Sequence, residues 1–216
     1  NKRNMSLIKQ GQEIINSYNK NESLAKANTP TYLSRCFSPH TFNLFNFLTY
    51  INSAEEFWKL ADSMQEFRVA VYGQKLMNAF SEDELKLIKN ISLDVGGLIK
   101  SFNRKTIPVG INHQLSSLPT VRVLQQLKST NDELSSVLEI GGGSGMLGHM
   151  CHHLGFKYTN FDITQSFYTY NSTIFKYLYK DKFTDTHSIK TDEVHYQKKA
   201  IDNEITMIPW WHFVNL

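Results

Sequence analysis

A short apolar segment runs directly into a glycine-rich loop between residues 137 and 145. The segment reads Val-Leu-Glu-Ile, and the loop reads Gly-Gly-Gly-Ser-Gly. Glycine accepts positive φ angles and has no β-carbon, so Gly141, Gly143 and Gly145 allow the backbone to approach a ligand closely. A helix that begins after the loop points its unpaired backbone amides at this ligand, and such amides bind a carboxylate well. The pattern therefore predicts a cofactor-binding turn between a strand and a helix.

Two cofactor classes use a loop of this kind. Residues 143–148, Gly-Ser-Gly-Met-Leu-Gly, satisfy the G-x-G-x-x-G pattern of dinucleotide binders. Glu139 instead favours S-adenosylmethionine, since an acid two residues before the first glycine is typical of methyltransferases. Asp162 closes a second predicted strand, where its two oxygens can accept hydrogen bonds from both ribose hydroxyls of either cofactor. Asp162 can also act as a cap for the helix that follows.

Strand and helix signals alternate after residue 135. Strands are predicted at 136–140, 158–163 and 205–209, with helices at 146–154 and about 165–179 between them. This alternation predicts an α/β fold with a Rossmann-like, doubly wound parallel sheet. A complete methyltransferase sheet has more strands than these, so we expect the sheet to be incomplete and the domain to continue beyond Leu216.

The first hundred residues carry a mainly helical pattern, with apolar side chains three and four positions apart. Ser81-Glu82-Asp83-Glu84 is a capping box and predicts the start of a helix. Prolines and a glycine interrupt the segment that follows, and Thr120 is predicted to cap a short linking helix. The predicted organisation is a helical N-terminal region at 1–102, a loop or lid with a linking helix at 103–135, and a cofactor-binding domain at 136–216.

The chain resembles the bacterial sugar O-methyltransferases, which are linked with modification of cell-surface polysaccharides. The resemblance covers about residues 105–216. It rests first on the glycine loop with its strand, on the strand that contains Asp162 and on the aromatic helix after that strand. Three further segments contribute: the Pro108-Val109-Gly110 loop, residues 117–122, and Ile208-Pro209-Trp210-Trp211. Ser144 departs from the aromatic residue that many members carry. The resemblance implies that S-adenosylmethionine is the cofactor and that Trp210 lies near its adenine. The expected cofactor-binding residues are Glu139, Gly141, Gly142, Gly143, Gly145, Asp162 and Trp210.

Methyl transfer to a sugar hydroxyl requires a base that removes the hydroxyl proton. The candidates are His113, in the proline-bounded loop, and His212, just past the third strand, although the base can equally lie beyond Leu216. His149 and His153 have the spacing of zinc ligands on a helix, but no further ligands are evident, so no metal site is predicted.

Arg122 is a further candidate site residue, because its guanidinium can pair with a phosphate or carboxylate of the substrate. A surface arginine on a helix is the alternative interpretation.

The composition fits a soluble globular protein, with 41% hydrophobic and 20% charged residues. The net charge of +3 comes from dispersed basic residues, which argues against a nucleic-acid partner. The first residues are too polar for a signal peptide, and no stretch has the length of a membrane span. Cys36 and Cys151 have neither disulfide-framework nor zinc-site spacing, so a cytoplasmic location is expected.

Three functions follow as hypotheses. The first is an S-adenosylmethionine-dependent O-methyltransferase acting on a hydroxyl of a sugar or nucleotide-linked glycan, with the N-terminal helices capping the sheet or forming a homodimer surface. The second is an NAD(P)-dependent oxidoreductase that uses the same glycines, against which Glu139 argues. The third is a noncatalytic scaffold with a degenerate cofactor domain, which the presence of Glu139 and Asp162 disfavours.

Overall fold

The computed structural model describes residues 2–28, 47–66, 80–98, 118–189 and 203–215. The helices in these ranges are α1 (Lys2–Asn28), α2 (Ala54–Glu66), α3 (Glu82–Ile91), α4 (Leu118–Thr130), α5 (Met146–His153) and α6 (Gln165–Tyr179). The strands are β1 (Ser136–Ile140), β2 (Lys157–Asp162), β3 (Phe183–Asp185) and β4 (Ile205–Pro209). A π-helical turn extends α3 over Ser92–Gly96, and 3-10 turns follow α6 at Lys180–Lys182 and β4 at Trp210–Asn215.

The described strands form one parallel sheet in the order β1-β2-β4-β3. The prediction of an α/β fold with a parallel sheet is therefore confirmed. The predicted strand at 205–209 has the same bounds as β4, whereas β3 lies between this strand and the predicted helix at 165–179, where the sequence predicts no strand. Three residues are too few to show the alternation of a strand. The segment is a strand because it pairs with β4, beginning with Phe183 opposite Ile205.

The helices that connect these strands lie on one face of the sheet. The connections from β1 to β2 and from β2 to β3 move in the same direction across the sheet, and right-handed crossovers then put α5 and α6 on the same side. The two helices meet over β2, where the His149 and Phe175 rings are 4.8 Å apart. Val137, Glu139 and Tyr158 point to this side, since side chains alternate along a strand.

Among the described residues, none covers the opposite face at the end of β1 enough to bury its apolar side chains. Leu138 is 59% exposed and Ile140 is 68% exposed, although both are large apolar side chains. On β2 the same face carries Thr159 and Phe161, which pair in register with these two residues. Cover on this face therefore increases from β1, the edge strand of the described sheet, towards β2, where Phe161 is buried.

Local capping sets the start of α3 as the sequence predicts. The backbone amide of Ser81 donates to Glu84 Oε2 at 2.8 Å, and the amide of Glu84 donates to Ser81 Oγ at 3.3 Å. The prediction that Thr120 caps the linking helix is wrong, because α4 is already helical from Leu118. Pro119 is tolerated in this first turn, where backbone amides have no partner inside the helix. Residues 103–117 of the predicted lid lie outside the described residues.

The N-terminal helix α1 packs on the outer side of α6. Tyr18 of α1 is fully buried between aromatic rings, with centroid distances of 4.9 Å to Tyr168 and 4.8 Å to Trp211. Gln165, at the start of α6, donates to Asn19 Oδ1 at 2.8 Å. The helical region is thus tied to the end of the sheet by both apolar and polar contacts. None of the described helices combines the length and apolar character that crossing a membrane requires.

Gly148 is the closest point of approach between α5 and β2. A β-carbon at Gly148 would lie 2.5 Å from Tyr158 Cε1 and 2.8 Å from Phe175 Cζ, both ring atoms of buried side chains. We predict that Gly148→Ala lowers the free energy of unfolding by about 1–3 kcal/mol, since the core must shift to admit a methyl group. Urea denaturation followed by circular dichroism measures this change.

Gly97→Ala is the matched control. Gly97 has helical φ and ψ angles, and a β-carbon there meets no atom within 4 Å. This variant should gain about 0.5–1 kcal/mol, because alanine favours the helix over glycine. Equal stability of the Gly148→Ala variant and the unmodified chain would contradict the packing described for α5.

Candidate functional site

The glycine loop has an open side formed by two residues. Gly141 and Gly143 have φ angles of 76° and 54°, in the left-handed region that other residues rarely adopt. A β-carbon at either position would meet no atom within 4 Å. These two glycines are therefore required for the course of the backbone, and the space beside them is available to a ligand.

The other side of the loop is held by two asparagines. The amide of Gly142 donates to Asn160 Oδ1 at 3.4 Å, and Asn171 Nδ2 donates to the carbonyl of Gly143 at 2.8 Å. A β-carbon at Gly142 would lie 2.4 Å from Asn160 Nδ2, and one at Gly145 would lie 2.6 Å from Asn171 Oδ1. The loop is thus packed from beneath by β2 and α6, which fixes its outer surface.

Sequence reasoning did not select these asparagines. Asn160 had a signal, because it is a polar residue between aromatic positions of a predicted strand. Its Nδ2 atom is buried and has no hydrogen-bond partner among the described residues. No pattern in the sequence marked Asn171, since its role depends on the packing of α6 against the loop.

Glu139 lies at the end of β1 beneath this loop. The Tyr158 hydroxyl donates a hydrogen bond to Glu139 Oε2, and the same oxygen would be 3.0 Å from a β-carbon at Gly142. Burial raises the pKa of the Glu139 carboxyl, and the Tyr158 hydrogen bond opposes that rise. No basic side chain in the described part of the chain pairs with it. The carboxylate is therefore able to neutralise a cationic ligand.

Asp162 lies at the end of β2, next to β1, and is 1% exposed. Its Oδ1 accepts the backbone amide of Thr164 at 2.8 Å, whereas its Oδ2 has no hydrogen-bond partner among the described residues. Thr164 itself is the N-cap of α6, so Asp162 precedes the cap position. Buried polar atoms are nearly always paired in folded proteins, and a ligand hydroxyl would satisfy this oxygen.

The electrostatics of Asp162 follow from this burial. Loss of hydration raises the pKa of its carboxyl to about 7, and the negative charge of Glu139 acts in the same direction. The hydrogen bonds from the Thr164 amide and hydroxyl and the Ile163 amide oppose the rise only in part. Two acids with raised pKa values thus flank the loop.

Trp210 and His212 lie in the 3-10 turn after β4. The indole Nε1 of Trp210 donates to Glu22 Oε1 at 3.0 Å, which links this turn to α1. His212 is buried, and its Nε2 lies 3.1 Å from the carbonyl of Thr186. A carbonyl only accepts, so Nε2 carries the hydrogen and Nδ1 is the basic nitrogen. Burial lowers the pKa of the His212 imidazole.

The other predicted side chains have different surroundings. His113 lies outside the described residues. Burial lowers the pKa of His149 to about 3, and its Nδ1 lies 2.5 Å from the Tyr179 hydroxyl, while Nε2 of His153 lies 3.9 Å from Asp94. Arg122 forms a two-pronged pair with Glu84, at 2.5 and 2.7 Å. Within the described ranges, no group of three or more His, Cys, Asp or Glu side chains could hold a metal ion.

The structure therefore brings Glu139, the glycine loop and Asp162 together at the carboxyl ends of adjacent parallel strands. This edge is where open parallel sheets bind ligands. Comparison of the chain with protein-family models, curated proteins and solved structures found no match. The residues of the site itself are consequently the basis for its chemistry.

The raised pKa of Asp162 predicts a pH-dependent stability. Folding favours its protonated form, so this contribution is complete below the ordinary pKa of 3.8 and is lost as the pH rises through about 7. Asparagine does not ionise, so the stability of the Asp162→Asn variant relative to the unmodified chain should increase by roughly 4 kcal/mol as the pH rises from 4 to 8, at about 1.4 kcal/mol per pKa unit. Urea denaturation at several pH values measures this difference.

Asp181→Asn supplies the control for this experiment. Asp181 is an exposed acid in the turn after α6, so its replacement should leave the pH dependence of the unmodified chain unchanged. Parallel pH curves for the Asp162→Asn variant and the unmodified chain would show that Asp162 ionises as freely in the folded state as in the unfolded state.

Proposed function

We propose that this chain binds S-adenosylmethionine at the carboxyl ends of β1 and β2 and acts as a methyltransferase. The observation that carries the proposal is the pair of acids on either side of an open glycine loop, the half-buried Glu139 and the buried Asp162. A Rossmann-like, doubly wound sheet is part of this proposal. It would require cover on the face of β1 that carries Leu138 and Ile140.

The residues present fit the parts of this cofactor. The carboxylate of Glu139 would pair with the ammonium group of the methionine end, and Asp162 Oδ2 would accept a hydrogen bond from a ribose hydroxyl. Gly141 and Gly143 would let the backbone approach the ligand, and the first amides of α5 would face its carboxylate. When bound, S-adenosylmethionine supplies an electrophilic methyl group on a positively charged sulfur.

Charge is the main argument for this cofactor over a dinucleotide. A dinucleotide would bring its anionic pyrophosphate to the loop, within reach of Glu139. Repulsion between those charges is strong where water is excluded, and the described residues place no cation beside Glu139 to offset it. S-adenosylmethionine carries an ammonium group and a sulfonium group, which the two acids would attract.

One observation is compatible with a second candidate, a nicotinamide-dependent oxidoreductase. The third glycine of the dinucleotide pattern serves close packing between helix and strand, and Gly148 makes such a contact with Tyr158. This packing does not select a cofactor by itself, because a methyltransferase helix can approach its strand equally closely. We therefore retain the oxidoreductase as an alternative that a binding experiment can separate.

The acceptor that we propose is a hydroxyl of a sugar or nucleotide-linked glycan, on the basis of the family resemblance. A hydroxyl needs a base close to its proton in order to attack the methyl group. His212, through Nδ1, and His113 are the candidates. A depressed pKa keeps His212 neutral near pH 7, which is the form able to accept a proton.

Isothermal titration of the whole chain with S-adenosylmethionine tests the proposal. We expect binding by the unmodified chain and an affinity roughly 10- to 100-fold lower for Asp162→Ala, as expected when a hydrogen bond to a charged group is lost. Asp181→Ala is the matched control, since it removes an exposed acid from the turn after α6, and it should bind as tightly as the unmodified chain.

Each alternative outcome is informative. Equal affinity of the Asp162→Ala variant would remove Asp162 from the ribose site. Failure of the unmodified chain to bind S-adenosylmethionine or its demethylated product would exclude the proposed cofactor. Tight binding of reduced nicotinamide dinucleotide instead would establish the oxidoreductase alternative.

A further inference from the structure

A second cluster of reactive groups lies at the carboxyl end of β3, on the side where α1 packs against α6. It consists of Asp185, the last residue of β3, His187, two residues later, and Ser17 of α1. His187 Nδ1 lies 2.5 Å from Asp185 Oδ1, and His187 Nε2 lies 2.8 Å from Ser17 Oγ. An acid, an imidazole and a hydroxyl are thus hydrogen-bonded in series, although Ser17 and His187 are 170 residues apart.

The acid in this series is held in its ionised form. Asp185 Oδ1 also accepts the Tyr168 hydroxyl at 2.6 Å and the His187 backbone amide at 3.2 Å. Burial alone would raise the pKa of Asp185, but His187 and these hydrogen bonds hold it below its ordinary value. A charged carboxylate beside His187 Nδ1 keeps the hydrogen on that nitrogen.

This tautomer determines what His187 does to Ser17. With the hydrogen on Nδ1, the lone pair of Nε2 faces the serine, so the Ser17 hydroxyl donates to it. Other serines on the helices behave differently: the hydroxyls of Ser23 and Ser63 donate to the carbonyl four residues earlier, at 2.8 and 2.9 Å. Ser17 is distinguished from Ser23 on the same helix by its basic partner.

We propose that Ser17 is an activated nucleophile that accepts an acyl group from an ester, with His187 as its base and Asp185 as the group that orients the base. Ser17 Oγ would bond to the carbonyl carbon as the ester C–O bond breaks. Its proton passes to His187 Nε2 and then to the departing alcohol oxygen, so atoms and charge balance. Ser17 is partly exposed, whereas its partner His187 is buried. The proposal is independent of cofactor binding at the glycine loop.

A fluorophosphonate probe tests this reactivity in the unmodified chain. Attack by an activated serine forms an O–P bond and releases fluoride, and peptide mass spectrometry locates the adduct. Ser23 is the internal control, because it lies on the same helix, is more exposed and lacks a histidine partner. We expect labelling at Ser17 at least tenfold faster than at Ser23. Equal rates, or no adduct at Ser17, would overturn the proposal, since a purely structural hydrogen bond predicts no advantage for the less exposed serine.

Variants separate the roles of the three residues. His187→Gln should reduce the labelling rate of Ser17 by about 100-fold or more, as expected on loss of a positioned base. Asp185→Asn should also slow it, because an amide can leave His187 in the other tautomer. Unchanged labelling in a folded His187→Gln variant would remove His187 from the mechanism. If neither variant folds by circular dichroism, the comparison of Ser17 with Ser23 in the unmodified chain decides the matter.

Discussion

The close approach of α5 to β2 and α6 is the constraint on which the rest of the candidate site depends. At Gly148 there is no room for a methyl group between the helix and the Tyr158 and Phe175 rings, and at Gly145 there is none beside Asn171. Because α5 is pressed against its neighbours, the loop that precedes it must turn sharply over the end of β1. The left-handed backbone of the loop glycines makes this turn possible.

The same packing determines the electrostatics of the site. Glu139 and Tyr158 project from paired strands to the face that α5 and α6 cover, so the helices that shape the loop leave the Glu139 carboxylate only partly exposed. Asp162, at the end of β2, is buried where α6 begins. Helix α1 adds a further acid, the buried Glu22, which accepts a hydrogen bond from the Trp210 indole and forms a 3.0 Å ion pair with Lys26. Negative charge is thus concentrated at the carboxyl edge of the sheet in a chain whose net charge is +3.

Patterns within a few residues of one another predicted much of the fold. The alternation of strand and helix signals predicted β4 with the same bounds as the structure, and the capping box predicted the start of α3. The loop glycines, followed by a helix pattern, predicted the turn after β1. This was possible because the residue type alone shows where the backbone can adopt positive φ angles. Thr120 shows the limit of such reasoning, since a residue suited to an N-cap lies inside α4 when the helix starts earlier.

Contacts between distant segments could not be read from the sequence. Asn171 supports the loop from the middle of α6, and Ser17 reaches His187 from a helix that carries no recognisable motif. β3 was missed for a related reason, since its three residues form a strand only through pairing with β4. The sequence predicted Glu139 and Asp162 as a pair, but their raised pKa values come from burial, which is a property of the folded chain.

The exposed apolar face of β1 affects what can pack against this edge of the sheet. Parallel sheets normally bury both faces, yet Leu138 and Ile140 present their apolar side chains to water on an edge strand. An edge strand carries unpaired backbone groups, and neither of these residues has the charge that edge strands commonly use to prevent association. Among the described strands, β1 is therefore the one with both unpaired backbone groups and exposed apolar side chains, which together form a surface suited to a further strand or helix.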